Sequence, residues 1–147
     1  MTPGNLVFVD TNVLVYFRDE GDARKQSIAS DWIQRLQATR RGRISTQVLI
    51  EFHAVITRGH QADSCVEAAR ADVEAFAAWQ PIQPDVDLLR RAWSVADRYS
   101  VSWWDAMVIA AALVARCSTL LSEDMQHGLV IDQTLTIVNP FATDPAA

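Results

Sequence analysis

Hydrophobic positions along the chain fall into short unbroken runs separated by longer stretches with helical spacing. Leu6 to Val9 is an apolar run rich in β-branched and aromatic side chains and closed by Asp10, which is how a strand buried on both faces reads. Thr11 to Phe17 starts a short helix, and Asp19, Glu20, Gly21 and Asp22 make a loop. Ala23 to Thr39 carries Ile28, Trp32, Ile33 and Leu36 at helical intervals, and the basic stretch Arg40 to Arg43 turns the chain into a very short extended piece at Ile44 and Ser45.

Gln47 to Thr57 places Val48, Phe52, Val55 and Ile56 on one face and ends near Gly59, as helices do. Ala62 to Trp79 reads as a further helix. Pro81 to Pro84 is predicted to be extended, because a residue before proline is pushed out of the helical region. Asp85 to Tyr99 is helical, with Val86, Leu89, Trp93 and Ala96 on one stripe, and Ser102 to Arg116 is a strongly apolar helix. Thr119 to Leu121 and Leu135 to Val138 complete the strands. Helices alternating with short apolar strands predict an α/β protein, a three-layer α/β/α sandwich around a short, mainly parallel sheet. With no repeat, linker or low-complexity stretch, residues 1–147 are expected to form one domain with loose ends at Met1 to Asn5 and Ala142 to Ala147.

Composition narrows the class. A chain of 147 residues, 50% hydrophobic and 21% charged, can bury about 68–70% of the surface its unfolded form exposes, so it needs neither disulfides nor a structural metal. The apolar run that includes Met107 to Ala115 falls far short of the ~20 residues that cross a bilayer. No basic start followed by an apolar leader is visible, and a cytoplasmic location is expected. Cys65 and Cys117 lie far apart with no ligand-spaced partner, and are expected to be reduced small hydrophobes. The net charge of −5 argues against a polybasic nucleic-acid binder. It leaves open an enzyme whose carboxylates hold cations.

Several acids sit where apolar residues would be expected. Asp10 ends a buried strand, where ligands bind in open α/β sheets, although it also suits the cap of the helix starting at Thr11. Glu51 shares its helix face with Val48, Phe52 and Val55, so its charge needs a cation or a partner such as Arg58 or Arg18. Asp105 shares a face with Val108, Ile109 and Ala112, and Ser102-Trp103-Trp104-Asp105 also resembles a capping box. Glu123 and Asp124 follow a strand through Ser122, and either acid can point inward. Two acids at strand ends and two on helix faces would converge at one end of the sheet. Clustered carboxylates without Cys or well-spaced His suit hard cations, Mg²⁺ or Mn²⁺, and such sites support phosphodiester hydrolysis.

The motifs Val9-Asp10-Thr11-Asn12-Val13-Leu14, Val48-Leu49-Ile50-Glu51-Phe52, Trp104-Asp105-Ala106 with Ile109-Ala110-Ala111-Ala112, and Leu121-Ser122-Glu123-Asp124-Met125-Gln126-His127-Gly128 together resemble the PIN-domain family. Within it, the chain is similar to the VapC-type toxins of bacterial type II toxin–antitoxin pairs, over nearly its whole length. The resemblance implies a Mg²⁺- or Mn²⁺-dependent endoribonuclease that inhibits translation by cleaving tRNA, rRNA or mRNA. It implies Asp10, Glu51, Asp105 and Asp124 as catalytic metal ligands, choosing Asp124 over Glu123 and leaving Glu123 a solvated neighbour. It further implies Thr11, Asn12 and Ser122 as supporting polar groups, a cognate antitoxin in the active-site groove, and a homodimer. No membrane partner is implied.

Other residues invite functional readings. His53, His60 and His127 are expected to be structural, since a metal hydrolase needs no histidine base. Adjacent Trp103 and Trp104 cannot share one helix face, so one of them is expected at an interface; aromatics can also stack bases. Arg40, Arg41 and Arg43, like Arg90 and Arg91, could contact phosphates. A receiver-like phosphoacceptor domain is discounted because the sole lysine, Lys25, lies on an early helix, and a haloacid-dehalogenase-like phosphatase because Asn12 stands where it needs a second aspartate. The competing readings left are a PIN-fold nuclease acting in RNA processing or on DNA, and a non-catalytic RNA- or protein-binding module.

Overall fold

A computed structural model describes residues 5–58 and 63–142. The chain runs β1 (Val7–Val9), α1 (Thr11–Arg18), α2 (Ala23–Thr39), β2 (Gly42–Arg43), α3 (Thr46–Thr57), α4 (Asp63–Phe76) and a 3₁₀ turn (Ala77–Trp79). It continues through α5 (Val86–Tyr99), α6 (Trp103–Val114), β3 (Thr119–Leu121), β4 (Val130–Ile131) and β5 (Leu135–Val138). The strands form one sheet of order β2-β1-β3-β5-β4. All pairings are parallel except β4 with β5. Phe8, Val9, Leu120 and Leu121 are fully buried although successive strand side chains point to opposite faces. Both faces of the sheet centre are therefore covered, as the expected α/β/α sandwich requires.

Local chemistry sets the helix starts. Asp22 accepts from Lys25 N at 3.0 Å, Ser45 from Val48 N at 3.1 Å, Asp85 from Leu88 N at 2.8 Å and Ser102 from Asp105 N at 3.2 Å. Each satisfies an N–H that the first helical turn leaves free. α2 and α5 stop where Arg40 and Ser100 turn left-handed, at φ 58° and 52°.

The sequence reading needs three adjustments. The strand after α2 begins at Gly42, inside the stretch read as a turn, because Gly42 and Arg43 pair with Val7 and Phe8. Ser45 then bridges Ile82 in parallel, so the proline-flanked segment does run extended along the sheet edge. Gly42 is required here, since a Cβ would sit 2.4 Å from the Trp79 ring. The helix expected to run to Trp79 tightens into the 3₁₀ turn after Phe76, and its expected start at Ala62 lies outside the described residues, as does Gly59. The antiparallel edge strand β4 is added, too short to show any alternation. Cys65 and Cys117 are both free thiols, and burial pushes that of Cys117 up to about 12. Among the described residues no helix is long and apolar enough to cross a membrane.

Candidate active site

The β1–β3 ladder brings distant segments together at the carboxyl end of the sheet. Asp10 N donates to Leu121 O at 3.0 Å, one step beyond the last strand pair, and Ser122 N donates to Val138 O at 3.0 Å. This sets Asp10 beside Ser122, whose hydroxyl donates to Asp10 Oδ2 at 2.8 Å. Asp10 is only 7% exposed. Its other oxygen, Oδ1, accepts from Thr11 N at 2.8 Å and caps α1. One oxygen therefore serves the helix while the other faces Ser122 and Asn12.

Asn12 joins the two strand ends. Its Nδ2 lies 3.3 Å from Asp10 Oδ2, 3.4 Å from Ser122 Oγ and 3.2 Å from Asp124 Oδ2, and its Oδ1 accepts from Glu123 N at 3.1 Å. Glu51 is held by Thr11 Oγ1 at 2.9 Å and by Gln47 Nε2 at 3.1 Å. The arginine partner weighed for Glu51 is not there: Arg18 grips Asp72 instead. Glu51 is also half-buried rather than inside a core stripe. Val48, Leu49 and Phe52 face the core, while the row Gln47, Glu51, Val55 faces a pocket, with Val55 exposed.

That pocket, of about 510 Å³, has all four expected carboxylates in its walls, Asp10, Glu51, Asp105 and Asp124, together with Thr11 and Asn12. Ser122 lies buried behind Asp10. Among the described residues no lysine or arginine lines it. Burial, with smaller contributions from the Asp105 and Glu51 charges, lifts the Asp10 carboxyl from 3.8 to about 6 against the lowering effect of Ser122 and Thr11 N. Asp105 is raised too, first by burial and then by the charges of Asp124 and Glu51. The donor set is all oxygen and its burial and mutual repulsion would both be relieved by a hard divalent cation. The residues fit such an ion in chemistry; among the described residues no three His, Cys, Asp or Glu side chains are gathered tightly enough to hold one as they stand.

Glu123 is not a solvated neighbour. Its carboxylate takes bonds from Lys25 Nζ at 2.9 and 3.0 Å and from Tyr16 Oη at 3.2 Å, and this pairing raises the lysine above its ordinary value. The partners are far apart in sequence, which is why spacing could not reveal them. Gln47, Tyr16, Asp19 and Trp104 also line the pocket without having been singled out for it. Only Gln47 carried a readable signal, four residues before Glu51 on one helix face. Trp103 packs against the core while Trp104 is 63% exposed. His127 accepts from Asn139 N at 3.0 Å, His53 lies outside the pocket lining, and His60 lies outside the described residues. Arg40 and Arg41 precede β2, at the amino end of the sheet and so opposite the carboxylates. The Arg43 guanidinium is turned onto the carbonyls of Arg40 and Gly42.

Solved structures share this fold. A toxin-antitoxin complex from Klebsiella pneumoniae superposes with a TM-score of 0.65 at 20% identity, covering 92% of this chain and 98% of that one. VapC20 of Mycobacterium tuberculosis, a sarcin-ricin loop cleaving toxin, gives 0.56 at 23% identity over 78% and 86% of the two chains. FitAB bound to a DNA fragment gives 0.68 at 13% identity over 95% and 98%. No curated protein matches the chain by sequence. The sequence profile of the PIN domain matches residues 7–128, and the chain belongs to the PIN-domain family, whose members are generally nucleases.

Proposed function

We propose that the protein is a Mg²⁺- or Mn²⁺-dependent endoribonuclease, the toxin of a toxin–antitoxin pair that acts in the cytoplasm by cleaving RNA needed for translation. The observation that carries this reading is the pocket in which Asp10, Glu51, Asp105 and Asp124 meet with no cationic side chain among them. These acids would hold the cation. Bound there, it supplies Lewis-acid activation of water and of the scissile phosphate. Thr11 and Gln47 orient Glu51, Ser122 and Thr11 N orient Asp10, and Asn12 spaces Asp10 from Asp124. Such neutral donors fix carboxylates without spending their charge.

Structural likeness to toxin-antitoxin complexes supports a cognate antitoxin as partner, and a homodimer and a single nuclease domain over residues 1–147 belong to the same reading. The test is cleavage of total cellular RNA by antitoxin-free protein in Mg²⁺, Mn²⁺ or excess EDTA, beside Asp10→Asn. Discrete fragments lost with EDTA and with the variant are expected. Folded protein that cuts no RNA with either metal overturns the proposal, and DNA becomes the next substrate.

A further inference from the structure

Glu123 and Asp124 are adjacent in the chain, yet only Asp124 lines the carboxylate pocket. Asp124 is itself lightly fastened: among the described residues its side chain takes one bond, from the Asn12 amide at 3.2 Å. Glu123 is fastened firmly. Its N–H donates to Asn12 Oδ1 at 3.1 Å, and its carboxylate takes bonds from Lys25 Nζ at 2.9 and 3.0 Å and from Tyr16 Oη at 3.2 Å. The lysine is braced in turn. Its Nζ lies 4.7 Å from the centre of the Tyr16 ring and 5.6 Å from that of Phe141, and the two rings meet edge to face at 5.0 Å. Arg24 Nη2 donates to Phe141 O at 3.1 Å. A lysine stem ordinarily keeps many rotamers; an ammonium held beside two aromatic rings and bonded to three oxygens keeps few.

We infer that Lys25, acting through Glu123, is a positioning residue for Asp124: α2 holds the first acid of the pair outward, so that the second faces the cation centre. This rests on the cation-dependent nuclease reading. Lys25 does not line the pocket, so its effect passes through the backbone that joins Glu123 to Asp124. The orientation of a ligating carboxylate matters as well as its charge, and groups that orient a ligand from behind typically change metal affinity or activity by about 10–100-fold. The pair has no net charge, which allows position to be separated from Coulomb attraction. Losing Lys25 alone would also strengthen the field that draws a cation in, whereas losing both partners leaves the net charge of the protein unchanged.

The experiment compares wild type, Lys25→Arg and the charge-balanced double variant Lys25→Met/Glu123→Ala. Each is titrated with Mn²⁺ by calorimetry and assayed for initial rates on total cellular RNA, with urea unfolding as the check on folding. The double variant is expected to bind Mn²⁺ about tenfold more weakly and to lose about tenfold in kcat, with KM for RNA unchanged. Lys25→Arg, whose fork also meets both carboxylate oxygens, is expected to stay within about threefold of wild type in each. If the double variant fails to fold, Lys25→Met/Glu123→Gln, which keeps an acceptor for Tyr16, carries the same comparison. A folded double variant that matches wild type overturns the assignment, as does a loss that Lys25→Arg shares in full. A loss confined to KM also overturns it and would place Lys25 on the RNA. Wild type that binds Mn²⁺ but cuts no RNA overturns the nuclease reading alone, and the titration still decides the role of Lys25; wild type that binds no Mn²⁺ overturns both.

Discussion

Asp72 and Asp10 are buried to nearly the same extent, 8% and 7% exposed, yet the fold treats them in opposite ways. Asp72, on α4, receives two bonds from the Arg18 guanidinium at 2.5 and 2.6 Å, tying α1 to α4. Asp10 receives only neutral donors, Thr11 N, Asn12 and Ser122. The contrast repeats between adjacent residues: Glu123 has Lys25, while Asp124 has the Asn12 amide. Burying a carboxylate without a counter-charge is unfavourable. This chain supplies the counter-charge where an acid joins helices and withholds it around the pocket, which is what distinguishes an acid kept for architecture from one kept for an incoming cation.

Removing either kind of acid's support should have opposite signatures. The largest effect expected is on catalysis: Asp10→Asn should lower RNA cleavage by about a thousandfold or more, while Arg18→Met should leave kcat within a few-fold. Arg18→Met should instead lower unfolding free energy in urea by about 2 kcal/mol, discounted from the about 3–5 kcal/mol of a fully buried pair because the Arg18 side chain is 47% exposed. A stability unchanged by this variant would dissolve the contrast.

Next in size, Asp10→Asn should be more stable than wild type in EDTA at neutral pH. A carboxyl raised from 3.8 to about 6 corresponds to about 3 kcal/mol. Part of this is forfeited because, with the Asn carbonyl oxygen kept on Thr11 N, its NH₂ stands where Oδ2 accepted from Asn12 and cannot accept, leaving a gain on the order of 2 kcal/mol. The folded state keeps its Asp10 proton to higher pH than the unfolded chain, so wild type is at no disadvantage below pH about 4. It loses stability as pH rises through about 6. The two melting curves should therefore separate between those values and run parallel above. Smaller again, Mn²⁺ at ten times its Kd should stabilise wild type by about 1.4 kcal/mol and Asp10→Asn scarcely at all. Smallest, the Lys25–Glu123 coupling in a double-mutant cycle should be favourable but weaker than the Mn²⁺ effect, and should shrink further in high salt.

The parts legible in the sequence were those set by local rules. The helical spacing of apolar residues marks α2, α3, α5 and α6, whose starts the structure then fixes with the caps Asp22, Ser45, Asp85 and Ser102, and the apolar runs mark β1, β3 and β5 because strands covered on both faces must be apolar throughout. Asp10, Glu51 and Asp105 stood out as charges in apolar settings, Asp124 was distinguished from Glu123 only by the family resemblance, and the fold lines one pocket with all four. What stayed hidden depends on tertiary approach. β4 is two residues long and exists only because β5 offers it an edge. Glu123 meets Lys25 across 98 positions, and the exposure of Trp104 depends on which flank of α6 the rest of the chain covers.

The pairing of β1 with β3 has a consequence for synthesis. Val7, Phe8 and Val9 find their partners at Thr119, Leu120 and Leu121, so during translation the first strand leaves the ribosome long before the neighbour that completes its carboxyl end. Asp10 cannot acquire Ser122, nor Asn12 its contact with Asp124, until those residues have emerged. A polypeptide that stops before β3 lacks the assembled pocket whatever else it forms. The ordering of the strands thus acts as a timer, withholding the site until β3 and Ser122 have been made.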